Sequence, residues 1–116
     1  MKIALAAIFG IFLSCEAMGW ELHITKKEYW ADEDGPSISK SEWVKYVQSD
    51  PQIVQDSANT EDDYLFKIDT EEWPLWWNPD LGEIYTKNPN DSAIIKFKSI
   101  AKSLDAQVQD DEGELY

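Results

Sequence analysis

From Trp20 the chain alternates, with Trp20, Leu22 and Ile24 on one side and Glu21, His23 and Thr25 on the other. That is the two-residue period of a half-buried strand. The charged stretch that follows ends in Asp32-Glu33-Asp34-Gly35-Pro36, whose residue types mark a loop. Ser39 and Glu42 then stand three apart, the spacing at which a serine hydroxyl caps a helix start and the glutamate carboxylate reaches back to it. The helix predicted there places Trp43, Val44 and Val47 on one face. It ends before Asp50-Pro51, because proline disfavours helical backbone in the residue ahead of it.

Tyr64, Phe66 and Ile68 alternate with Leu65, Lys67 and Asp69, a second strand pattern. In Trp73-Pro74-Leu75-Trp76-Trp77-Asn78 the proline cannot donate to a ladder, so an edge strand or an extended loop is expected. Gly82 to Thr86 makes its short hairpin partner. The strongest periodicity in the chain joins Ala93, Ile94, Phe97, Ile100, Ala101 and Leu104 at helical spacing. Asn88 is the expected cap of this second helix, with Pro89 as its first residue. Ala106 to Gln109 and Glu114 to Tyr116 read as short strands around an Asp111-Glu112-Gly113 turn. The predicted order is β-α-β-β-β-α-β. It implies an α+β fold, a two-layer sandwich in which two helices cover one face of a mainly antiparallel sheet.

The first residues carry a different pattern. Lys2 precedes an uncharged apolar run, Ile3 to Leu13, and Ser14-Cys15-Glu16-Ala17 follows. A run of this length suits a secretory signal and falls well short of the roughly 20 residues of a spanning helix. Residues 1–17 are therefore expected to be a signal peptide and 18–116 a single domain in the periplasm, without a cysteine. Two alternatives stay open: Cys15 as the lipid-carrying cysteine of a membrane-anchored lipoprotein, or translation from Met18 and a cytoplasmic protein.

Charge narrows the function. Acidic residues number 23 against 10 basic ones, all lysines, for a net charge of −13. A nucleic-acid binder needs a basic stripe and leans on arginine's planar fork, so no nucleic-acid partner is expected. The acids cluster at Asp32 to Asp34, Glu61 to Asp63, Glu71-Glu72 and Asp110 to Glu114. These clusters fall in predicted loops, where contact residues are displayed. Such a surface attracts basic partners.

Catalytic signatures are weak. His23 is the only histidine, on the polar side of the first predicted strand, and no Gly-x-Ser-x-Gly elbow accompanies it. Asp32-Glu33-Asp34-Gly35 opens like a calcium loop, but Pro36 follows the glycine directly and Trp43 takes the place of the closing glutamate. One histidine without a cysteine in the domain is a poor zinc set. No metal and no cofactor are expected, and there is no glycine-rich phosphate loop. Trp73, Trp76 and Trp77 with a carboxylate pair leave a second reading open, a small envelope protein that binds or cleaves carbohydrate.

Several stretches together carry a resemblance: Trp20-Glu21-Leu22-His23-Ile24-Thr25-Lys26-Lys27 with Trp30, Glu42-Trp43, Tyr46-Val47 before Ser49-Asp50-Pro51, Lys87-Asn88-Pro89, Ala106-Gln107-Val108-Gln109 and Glu112-Gly113-Glu114. They resemble a family of small, uncharacterised, acidic bacterial proteins similar in size and acidity to immunity proteins of antibacterial toxin systems. The resemblance implies a non-enzymatic inhibitor whose partner is a cognate protein toxin. The contact residues expected for it are Asp32, Glu33, Asp34, Glu61, Asp62 and Asp63, with Trp76 as an aromatic anchor.

Overall fold

The computed structural model describes residues 19–116, so the expected signal peptide, 1–17, lies outside the described residues. Strand β1 is Glu21–Thr25, helix α1 Lys40–Ser49, β2 Ile53–Gln55, β3 Tyr64–Ile68, β4 Glu71–Asn78, β5 Glu83–Lys87, α2 Asp91–Ser103 and β6 Gln107–Asp110. The expected α+β order is present, with the three-residue β2 added to it. All six strands join one antiparallel sheet in the order β2-β3-β4-β5-β1-β6. Among the described residues no helix is long and apolar enough to cross a membrane.

Register decides which side chains share a face. Leu22 sits opposite Thr86, Ile24 opposite both Ile84 and Val108, Trp77 opposite Ile84, and Phe66 opposite both Trp73 and Ile53. Directly paired residues point the same way, so these side chains line one face. Trp43 of α1 and Ala93, Phe97, Ile100 and Ala101 of α2 close over it in one buried cluster. Aromatic rings fill much of that layer: Trp43 meets Tyr64 edge-on at 6.1 Å, and Phe66 stacks on Trp73 at 5.2 Å.

The helix starts follow from local chemistry. Ser39 and Glu42 form the predicted capping box, and α1 stops at Ser49 as Asp50-Pro51 requires. The cap of α2 differs from expectation. Asn90, not Asn88, accepts a hydrogen bond from the Ala93 amide at 2.9 Å, and the helix begins at Asp91. Asn88 instead takes a left-handed conformation, φ +50, and its side-chain oxygen accepts from the Trp20 amide. Two asparagines stood within reach of the helix start, and the tie between Asn88 and Trp20 selects the second.

Strand β4 is a further correction, since it lies inside the sheet with β3 on one side and β5 on the other. Pro74 is tolerated because the ladder to β5 covers only Trp76 to Asn78. At Pro74 the strand has β3 as its only partner, and the missing N–H interrupts nothing on the other side. The turn between β4 and β5 depends on Gly82, whose φ is +61 and where an added Cβ would fall 2.3 Å from that of Ser37. This close approach lets the Ile38 amide donate to the Gly82 carbonyl and places Ile38 in the core. The expected last strand, Glu114 to Tyr116, is reduced to one bridge between Gln109 and Leu115.

Candidate functional site

The face of the sheet opposite the helices carries its own row. Trp76 is paired with Tyr85, Tyr85 with His23, and His23 with Gln109, across four neighbouring strands. Glu21, Thr25 and Glu83 share this face by the two-residue period. An outward face of an antiparallel sheet is ordinarily solvated. Here His23, Thr25, Glu83 and Gln109 are buried, all but Glu83 completely so.

What covers them is the segment after β1. The Trp30 indole lies flat on the His23 imidazole, ring centroids 3.7 Å apart and planes 8° from parallel. Gln109 pins that segment at two points. Its side-chain oxygen accepts from the Trp30 amide, and its nitrogen donates to the Glu28 carbonyl. Gln107 donates to the Lys27 carbonyl in the same way. The Trp30 indole nitrogen donates to the Asp111 carbonyl at 3.1 Å. Each polar group removed from water thereby finds a partner, the condition for burying it at modest cost.

His23 is held at both ring nitrogens. Nδ1 lies 2.6 Å from Glu83 Oε1, and Nε2 lies 2.9 Å from Asp111 Oδ1. The other Asp111 oxygen accepts from the Glu21 amide. Burial alone lowers the imidazole pKa, but hydrogen bonds to the Glu83 and Asp111 carboxylates outweigh it and hold the pKa above the usual histidine value. Tyr85, beside this cluster, has its phenol pKa raised first by burial and then by the charges of Glu21, Glu83 and Asp63.

The residues expected to contact a partner lie elsewhere. Asp32, Glu33 and Asp34 are exposed in the loop after β1, and Glu61 and Asp62 are exposed ahead of β3. Because β1 runs antiparallel to β5, and β3 and β5 share a direction, both loops open from the same end of the sheet. Two members of the set are engaged within the chain. Asp62 forms an ion pair with Lys40 at 3.1 Å, and the Asp63 carboxylate accepts from the amide and hydroxyl of Thr60. Trp76 is half-buried on the outer face, against Tyr85 at 5.1 Å. Trp73 and Trp77 face the core, and the Trp77 indole donates to the Ile38 carbonyl. Of the three tryptophans only Trp76 is presented outward.

Among the larger hollows, one of about 420 Å³ is lined by Glu42, Lys45, Tyr46, Ser49, Ser103 and Leu104, remote from the His23 cluster. Fold and site together describe a small α+β protein with a covered histidine–carboxylate cluster and an acidic end. Compared with family models, curated proteins and solved structures, the chain matches none.

Proposed function

We propose that this chain is a non-enzymatic immunity protein, one that binds a protein toxin and neutralises it through an acidic surface. The observation that supports the reading most is the placement of the loops. Asp32 to Asp34 and Glu61 to Asp63, separated in sequence, open from one end of the sheet, and Trp76 and Tyr85 lie on the face that leads to it. Exposed carboxylates of this kind attract a basic surface over distance and form charge-assisted hydrogen bonds on contact. A half-buried aromatic beside them suits the anchor role that tryptophan plays in interfaces. The leader expected in residues 1–17 directs such an inhibitor to the periplasm, where its target would be a toxin that attacks peptidoglycan or the membrane.

The test is capture of a partner by the immobilised chain at low and moderate salt, alongside a variant carrying Asp32→Asn, Glu33→Gln and Asp34→Asn. Steering by exposed charge weakens as salt shortens the screening length. The expected result is one stoichiometric protein, lost as salt rises and retained poorly by the variant, whose toxic activity falls when the native chain is added. Retention of soluble glycans or peptidoglycan fragments with no protein would sink the proposal and favour the carbohydrate reading, built on Trp76 and nearby carboxylates.

A further inference from the structure

On the outer face, away from the loops of Asp32 to Asp34 and Glu61 to Asp63, His23 and two carboxylates form a constellation that the toxin-binding reading does not use. One imidazole nitrogen, one Glu21 oxygen and one Asp111 oxygen all lie within 4.8 Å of one another. We propose that Glu21, His23 and Asp111 form a binding site for a divalent transition-metal ion of the zinc class, with Glu83 orienting the histidine. The inference is independent of the proposed toxin partner.

Three observations carry it. The first is the arrangement around the imidazole. Glu83, almost fully buried, sits on Nδ1, so Nε2 is the nitrogen turned to Asp111, 2.9 Å away, and is the one that ligates once an ion displaces the proton shared with that carboxylate. A carboxylate on the far nitrogen is the usual companion of a metal-bound histidine, fixing the ring and strengthening it as a donor. Trp30, flat against the ring, prevents it from turning.

The second is charge. Glu21, Glu83 and Asp111 converge on one imidazole, so even a protonated ring leaves two negative charges. Among the described residues no lysine forms an ion pair with any of the three. The Lys27 charge acts on Glu83 only over a distance, since its ammonium donates to the Asp32 carbonyl, and Lys87 lies across the ladder from Glu21 without pairing to it. A divalent cation in place of the proton on Nε2 reduces that excess to a single negative charge.

The third is access. The His23 ring is buried, but the Asp111 side chain is 46% exposed and Glu21 is half-exposed, so an ion enters from their side. Zinc ligands stand about 2.1 Å from the ion. Small rotations of these two carboxylates bring their oxygens in, and water completes the coordination. One imidazole with two carboxylates suits a borderline ion better than calcium or magnesium, which take all-oxygen sets.

The experiment is calorimetric titration of the full chain with zinc chloride at neutral pH, followed by nitrogen-15 spectra of the imidazole. The variants are Glu21→Gln and Asp111→Asn, with Glu61→Gln in the distant loop as control. Saturable one-to-one binding is expected, with a shift of the His23 Nε2 signal. Each of the two ligand variants should weaken affinity by at least about tenfold, the lower range for loss of an orienting group, while Glu61→Gln leaves it unchanged. The proposal is overturned by an absence of saturable binding, by binding that leaves the His23 signals unmoved, or by affinity that survives both ligand variants. A circular dichroism spectrum of each variant matching that of the parent ensures that loss of binding is not loss of fold.

Discussion

Over strands β1, β5 and β6 both faces of the sheet carry side chains closed to water, but by different chemistry. On the helix side, Leu22, Ile24, Phe66, Leu75, Ile84 and Phe97 exclude water by apolar contact, which requires only complementary shape. On the outer side, His23, Glu83, Gln109 and Trp30 do so through an aromatic lid and a hydrogen-bonded cluster. The first kind of packing tolerates change by degrees, because a lost methyl leaves a small cavity. The second fails abruptly, because a lost partner leaves a buried charge or donor unpaired.

The sharpest way to test that contrast is a pair of truncations. His23→Ala strands the Glu83 carboxylate and is expected to cost about 3 to 5 kcal/mol, the range for removing one partner of a buried ion pair. Phe97→Ala in the helix-side core falls in a similar range, about 3 to 5 kcal/mol. Equal losses in urea unfolding would show the outer cluster to be as structural as the core; a loss below about 1 kcal/mol for His23→Ala would show that the outer face is solvated and the lid loose.

A smaller effect is expected where the two helices meet. Asp50, only 7% exposed, accepts from Lys96 at 2.6 Å and from the Tyr46 hydroxyl at 2.6 Å. Burial opposes its charge, but the bonds from Lys96, from Tyr46 and from the Gln52 amide overcome it and hold its pKa below the usual carboxylate value. Its contribution is therefore complete above the ordinary carboxylate pKa of about 4 and disappears as the pH falls through the lower folded value. Asp50→Asn should cost about 1 to 2 kcal/mol at neutral pH and remove that share of the acid-side loss. Unfolding curves at pH 7 and at acid pH check both; a cost that is the same at the two pH values would contradict the ion-pair account.

The smallest effect sits on the apolar face itself. Among the described residues the fully buried Thr86 hydroxyl has no hydrogen-bond partner. Thr86→Val keeps the shape and removes the unpaired group, so a gain of about 1 kcal/mol is expected, read as a rise in thermal midpoint. A fall would mean that the hydroxyl has a partner, such as an ordered water.

The alternation from Trp20 to Thr25, the Ser39–Glu42 capping box, the stop at Asp50-Pro51 and the apolar stripe of α2 were all legible in the sequence. Each is a local pattern whose physics is complete within a few residues. Strand β2 is not legible there because three residues, one of them buried, are too short to show a period. Asn88 reads as the cap because local sequence holds no sign of the Trp20 amide that engages it. The proline in β4 points to an edge position only as long as the end of the neighbouring ladder, at Trp76, is left out of account.

The candidate site divides along the same line. Sequence determined that the chain is strongly acidic, which acids cluster in loops, and that a single histidine stands on the polar side of β1. Composition counts residues but not neighbours, so one histidine without cysteine read as too poor a set for zinc. Only the tertiary structure decided that His23 is buried under Trp30 and clasped by Glu83, 60 residues away, and by Asp111, 88 residues away. A strand's alternation specifies which side of the sheet a residue takes. Whether that side meets water depends on what the rest of the chain lays across it.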